Sequence, residues 1–366
     1  MLFRSQKANS WYENITIHTE KCSDPVSDLL VTDKIDIAIL GVCEERGTNI
    51  NKGTIEGPDE IRRKLYHLKK GTGAYKITDL GNLKPAENLE KTYLRLKEVC
   101  ETLIYNKVLP IILGGSHDLD YGQFLAYQGA RKLISVLNVD AMLDMEKEPP
   151  PTPNPPETEK RRIGETERGK TKRFTDSPIH RFTDSIRNSG GEDLKGGVEM
   201  CRHHTYRLLT YEPKFLFNFS HLGYQSYLTD QESIASLEAL HFESYRVGQI
   251  RENIEEIEPV IRNADMMSFD ITAIKQADAP GNLNAQPFGL TGEEACQICW
   301  YAGLNDRLTS IGFYEYNPNE DLKKQTASVI ATMIWYFTEG FYNRRNELDF
   351  DSEDYKKYLV TLPKGT

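Results

Sequence analysis

The chain has 366 residues, a formal net charge of −10, and 39% aliphatic or aromatic residues. That length suits one large α/β domain with an insertion, and the apolar content supports a sizeable core. The negative balance argues against nucleic acid or an anionic membrane as the main partner. No segment approaches the roughly 18 uninterrupted apolar residues of a membrane span.

The first residues, MLFRSQKANSWYEN, lack the apolar run of about 7–15 residues that a signal peptide needs. Six scattered cysteines, Cys22, Cys43, Cys100, Cys201, Cys296 and Cys299, read as reduced thiols of a cytoplasmic protein. Cys296 and Cys299 form a lone CxxC, which reads as two small residues on one helix face rather than half a zinc site.

In chain order, strands are expected at 35–42, 109–115, 133–139, 214–220, 265–270 and 308–316. Their apolar character is nearly continuous, which suits strands buried on both faces. Helices are expected at 57–70, 87–106, 252–264 and 291–304, where apolar residues recur every three or four positions. The alternation implies a mostly parallel sheet covered on both faces, with ligands beyond the carboxyl ends of its strands.

One stretch, 146–197, departs from this pattern. It is rich in Pro, Gly and charge, it repeats RFTDS at 173–177 and 181–185, and it reads as a disordered insertion in a single domain spanning 1–366. A lid or partner-binding arm is the functional alternative, and a binding module built on it would be a function of its own.

Three strand ends carry polar groups. LPIILGGSHDLD ends in Gly114, Gly115, Ser116, His117 and Asp118; LISVLNVDAMLD ends in Asp140 and Asp144; DMMSFDIT ends in Ser268 and Asp270. One Asp after a strand is ordinarily a turn or cap residue. One imidazole with three carboxylates is also an oxygen-rich set that suits Mn²⁺ or a similar divalent ion.

These residues resemble the arginase, agmatinase and formimidoylglutamase superfamily, the ureohydrolases. GGSHD (114–118) stands where the family has Gly-Gly-Asp-His-Ser. DAMLD (140–144) stands for Asp-Ala-His-x-Asp, and SFDIT (268–272) for Ser-Phe-Asp-x-Asp. APG (279–281), GLT (289–291), KGTIEGPDEIRRKL (52–65), DLGN (79–82) and EYNPNEDLKKQTA (315–327) extend the match over most of the chain outside the insertion.

The resemblance implies a three-layer αβα fold of the arginase/deacetylase type and a pair of Mn²⁺ ions that activate water. The residues matching the ligands of one ion are all present: His117, Asp140, Asp144 and Asp270. The private ligands of the other are replaced by Met142 and Thr272, a soft thioether and a neutral hydroxyl. One ion is therefore expected rather than two, or none, with a protein cation in its stead.

Lys275, at the position of another family Asp, is a candidate for that cation. Glu294 matches a family Glu that contacts the guanidinium, and it also completes a Thr-x-x-Glu capping box from Thr291. The reversed order of Ser116 and Asp118 around His117 implies rearranged support for the ligand. His203 and His204, in RHHTYRLL, read as surface residues, with the alternative that one faces the site.

His117, Asp140, Asp270 and Glu294 are thus the candidate catalytic residues. The function so implied is hydrolysis of a C–N bond in a linear amidine or guanidine, of the formimidoylglutamase-like subtype. A small-molecule substrate and a homo-oligomer follow from the same resemblance. The alternative is a pseudoenzyme that keeps the fold for binding or assembly.

Overall fold

The computed structural model describes residues 9–17, 35–130, 132–146 and 199–345. The expected insertion at 146–197 lies, apart from Glu146, outside them. Nine strands form one sheet: β1 (Thr16–Ile17), β2 (Ile37–Val42), β3 (Ile77–Leu83), β4 (Leu109–Leu113), β5 (Ile134–Val139), β6 (Leu216–Tyr224), β7 (Glu243–Arg246), β8 (Met266–Asp270) and β9 (Ser310–Tyr314). Their order is β1-β3-β2-β4-β9-β8-β5-β6-β7, and every pairing is parallel.

The central strands β2, β4, β5, β8 and β9 are buried along their whole length, as their continuous apolar runs require. Helices complete the α/β architecture: α1 (Gly57–Leu65), α2 (Leu89–Tyr105), α3 (Asp120–Leu125), α4 (His204–Thr210), α5 (Gln231–Ala239), α6 (Val247–Glu252), α7 (Glu258–Ile261), α8 (Gly292–Leu304) and α9 (Gln325–Tyr342). Helix α2 shows the local logic. Asn88 caps its first turn by accepting from Lys91 N, and Tyr93, Leu96, Cys100 and Leu103 bury a single stripe.

Two expectations need correction. The helix expected over 252–264 is broken: α6 stops at Glu252, Asn253 is extended (φ −154°), and a 3₁₀ turn leads into the four-residue α7. Pro259 lacks the N–H to continue a longer helix and sits instead in a first turn. The second is an omission: strand β3 is not among the expected strands, and it is internal to the sheet although it contains Asp79. The Arg62 guanidinium meets both oxygens of Asp79, at 2.8 and 3.0 Å, and hides the charge. Cys296 and Cys299 lie buried on α8, as expected of small residues on one helix face, and burial raises both thiols. Among the described residues no helix is long and apolar enough to cross a membrane.

Candidate metal centre

Four adjacent strands, β4, β9, β8 and β5, end at one rim and deliver the polar groups there. The Gly114–Gly115 pair lets the β4 end squeeze between its neighbours. A Cβ on Gly115 would fall 1.7 Å from the Glu44 carbonyl oxygen, and one on Gly114 would fall 2.2 Å from the Tyr314 ring. The chain then turns into a 3₁₀ segment at His117–Leu119, which buries the His117 imidazole completely. Its Nδ1 lies 3.1 Å from Asp270 Oδ2 and 3.4 Å from Asp140 Oδ2. The β5 end turns at Ala141 and Met142 and places Asp144 in the left-handed region (φ 43°), which an Asp tolerates better than most residues.

A further imidazole arrives from across the insertion. Glu146 N donates to Arg202 O at 3.0 Å, so the chain returns beside the point where it left. Helix α4 follows directly, packed on α3, with His204, Thr205, Leu208 and Leu209 buried. The His204 ring centroid is 4.1 Å from that of His117, and its Nε2 is 3.5 Å from Asp144 Oδ2. His117, Asp140, Asp144 and His204 each offer one ligand atom, all within 4.8 Å of one another.

The donor chemistry fits a divalent cation. His117 Nδ1, His204 Nε2 and Asp140 Oδ2 are buried and meet no hydrogen-bond geometry among the described residues. Buried polar atoms left without partners cost about 1–3 kcal/mol each unless something else satisfies them. Their opposite edges are fixed. Asp120 Oδ2 lies 2.8 Å from His204 Nδ1 and 3.3 Å from Ser268 Oγ, and that hydroxyl lies 2.7 Å from His117 Nε2. One carboxylate and one hydroxyl thus hold both rings, in the manner of groups that orient metal-binding histidines.

One oxygen each of Asp140 and Asp270 is taken by hydrogen bonds within the chain. Asp140 Oδ1 accepts from Met142 N at 3.0 Å and from Thr272 Oγ1 at 3.1 Å. Asp270 Oδ1 accepts from Thr272 N at 2.7 Å. One oxygen of each carboxylate is therefore used by the very residues that replace the missing ligands.

Crowding of carboxylates in a dry place shifts their protonation. Burial raises Asp140 to about 6, helped by the charge of Asp144 and opposed by His117. Burial and then the charge of Asp140 raise Asp270 as well. Burial disfavours a charged His204, but Asp120 outweighs it and lifts the ring to about 9. Burial likewise opposes the charged form of His117, yet Asp140 and Asp270 hold it well above the usual histidine value. The cations expected beside an ion-free cluster are these two imidazoles.

Lys275 is not that cation: its Nζ pairs with Asp278, 3.4 Å away, and the side chain is about one-third exposed. The surface reading of His203 and His204 is corrected, since both are buried, and the alternative that one faces the site holds for His204; His203 Nδ1 lies 2.6 Å from Glu146 O. Glu294 forms both halves of the capping box with Thr291 and pairs with Arg251 at 3.0 Å. Asp118 turns away from the ligand cluster and accepts from the Tyr93 hydroxyl.

Sequence reasoning gave no role to Asp120 or Glu315. Glu315 follows β9, is buried, and has a left-handed backbone (φ 67°) that is costly for a Glu. Its Oε1 accepts from His117 N at 2.9 Å and its Oε2 from Asn51 Nδ2 at 2.7 Å. Burial and then the nearby Asp270 raise it to about 8. Its place in the Glu-x-Asn-Pro match at 315–318 was the available signal.

A model of the arginase family matches residues 35–339. The chain is 22% identical to the formimidoylglutamase of Streptococcus gordonii over 336 residues, covering 87% of each protein. It is 26% identical to the human mitochondrial guanidino acid hydrolase over 311 residues, 82% of this chain and 77% of that one. The fold is similar to Bacillus subtilis formimidoylglutamase, with a TM-score of 0.68 at 18% identity over 91% of this chain and 92% of that one. It is also similar to Trypanosoma cruzi formiminoglutamase solved with Mn²⁺, with a TM-score of 0.66 at 19% identity over 87% and 98%. With nine parallel strands, a ligand cluster at their carboxyl ends and a match over most of its length, this chain belongs to the arginase family.

Proposed function

We propose that this protein is a metal-dependent hydrolase of a C–N bond in a linear amidine or guanidine, closest in chemistry to the formimidoylglutamases it resembles. The observation that carries this reading is the set of unpaired, buried ligand atoms converging from separate strand ends: His117 Nδ1 and Asp140 Oδ2, with Asp144 and Asp270 beside them. His117, Asp140, Asp144 and Asp270 would hold one divalent ion. A second is disfavoured because its private ligands are replaced by Met142, a soft thioether, and Thr272, a neutral hydroxyl that donates to Asp140 Oδ1.

A divalent ion there supplies the Lewis acidity that makes water nucleophilic near neutral pH. The chain's own groups do the rest. Asp140 and Asp270 bring their Oδ2 atoms within 3.4 and 3.1 Å of His117 Nδ1, so the three donors would hold the ion together. Glu315 is buried near enough to Asp270 for that charge to raise it, and a carboxylate in this position would attract an amidinium. Glu294, engaged as a helix cap, is a structural group in this reading.

The pseudoenzyme alternative rests on the loss of two ligands. It leaves unexplained why both imidazoles are held on their far edges by a dedicated carboxylate and hydroxyl. Elemental analysis with an amidine panel tests the proposal. One ion per chain, with formamide, ammonia or urea released from one of the substrates, is the expected result. A chain that takes up no divalent ion and turns over nothing overturns it.

A further inference from the structure

We propose that His204 is itself a metal ligand, so that the ion of this protein is bound by two imidazoles, His117 and His204, together with the carboxylates of Asp140, Asp144 and Asp270. This rests on the metal-dependent reading above and deepens it: it names a ligand that the strand-end motifs do not contain, and it changes which ion the site prefers.

Three observations converge. His204 Nε2 is buried and meets no hydrogen-bond geometry among the described residues, and His204 offers a ligand atom within 4.8 Å of those of His117, Asp140 and Asp144. Its other nitrogen, Nδ1, is 2.8 Å from Asp120 Oδ2, which selects the tautomer that leaves Nε2 with a free lone pair. The same Asp120 oxygen reaches His117 through Ser268. A ring meant only to pass protons needs contact with solvent, yet His204 is fully buried at the base of the cluster.

The chemistry follows from the donor set. Oxygen-rich sites suit Mn²⁺, whereas each added imidazole favours ions higher in the divalent series, Fe²⁺, Co²⁺ and Zn²⁺. Loss of the second metal position is thus accompanied by gain of a nitrogen donor at the first. The site becomes a mononuclear centre with two histidines and carboxylates, selective for Co²⁺ or Zn²⁺ over Mn²⁺.

The test begins with wild-type protein stripped and reloaded with Zn²⁺ or Co²⁺. X-ray absorption of the loaded protein counts imidazole ligands through their multiple-scattering signature, with two expected. Competition titration should give a preference for Zn²⁺ over Mn²⁺ that shrinks in His204→Gln, since the divalent series alone already places Zn²⁺ above Mn²⁺. His204→Gln should lose more than about 100-fold in Zn²⁺ affinity, beyond the 10–100-fold typical of losing a supporting group such as in Asp120→Asn. Its Mn²⁺ affinity should change by a smaller factor. The absorption measurement needs no variant, so a misfolded His204→Gln leaves the idea open to refutation. One imidazole on the bound ion, or His204→Gln with unchanged Zn²⁺ affinity, overturns this inference and spares the proposed hydrolase. Failure to bind any divalent ion overturns both.

Discussion

Restoring the two missing ligands, Met142→His together with Thr272→Asp, is the most demanding test of how this centre is built. Thr272 now donates its hydroxyl to Asp140 and its N–H to Asp270, at 3.1 and 2.7 Å. An aspartate at 272 exchanges a neutral donor for a third carboxylate against two that are already buried and raised in pKa. Two unit charges 4 Å apart repel by about 4 kcal/mol at an effective dielectric near 20. With two such neighbours, the metal-free double variant loses several kcal/mol or binds an extra proton. Each kcal/mol moves Tm by about 2–4 °C in chains of about 150–250 residues and by less in longer ones, so the metal-free variant should melt roughly 5–10 °C below the parent. Mn²⁺ at about 1,000 times its Kd returns about 4 kcal/mol, so the deficit should largely close. Thermal scans with and without Mn²⁺, paired with elemental analysis, read both effects, and two ions per chain are expected. A double variant that melts with its parent when metal-free and still binds a single ion would show that residues 142 and 272 do not line the second position, and the alignment of the last two motifs would be wrong.

The remaining predictions concern support, protons and roles. Asp79→Ala leaves the buried Arg62 without its bidentate partner and should cost about 3–5 kcal/mol, seen as a lower urea midpoint; an unmoved midpoint contradicts the reading of strand β3. Metal loading should release protons, because ion-free His204 lies at about 9 and Asp140 at about 6, and both must be unprotonated to bind. Apparent affinity should therefore fall as pH drops below 9 and fall more steeply below 6; calorimetry in buffers of different ionisation enthalpy counts the protons, and none released at pH 7 would refute it. Glu294→Ala should cost about 1 kcal/mol of stability through the lost cap and leave KM unchanged, whereas Glu315→Gln should raise KM for an amidinium substrate. Equal KM effects would return Glu294 to the substrate site.

The parts of this fold that could be read in the sequence are those where a single physical pattern dominates. Strands β2, β4, β5, β8 and β9 are apolar throughout because both faces are covered, and their ends carry the chemistry because a parallel sheet gathers polar groups there. Strand β3 escaped because Asp79 looks like a surface residue until Arg62, on a different element, is known to face it. His204 escaped for a related reason. Its neighbours within α4 say only that the helix is short and mixed; its burial depends on the chain returning at Glu146 and Arg202 to the end of β5. Spacing along the chain carries no trace of that closure. Asp120 was adjacent to a quoted motif, but its role as the shared partner of two histidines exists only once α4 is in place.

The charge balance of the cluster ties the ligand changes to the substrate class. His117 and His204 bring no charge when they act as neutral donors, while Asp140, Asp144 and Asp270 bring three negative charges. A single divalent ion leaves that set at −1, and Asp120, hydrogen-bonded behind the imidazoles, keeps the surroundings negative. A second divalent ion would carry that set past neutral to +1, and its private ligands are absent. The remaining field in a buried, low-dielectric place therefore favours a cation over a neutral molecule. An amidinium brings one positive charge, and such a charge near Glu315, which burial and Asp270 raise to about 8, favours the ionised carboxylate. Removing the second metal thus need not abolish this chemistry: it shifts part of the positive charge from the protein's ions to the substrate itself.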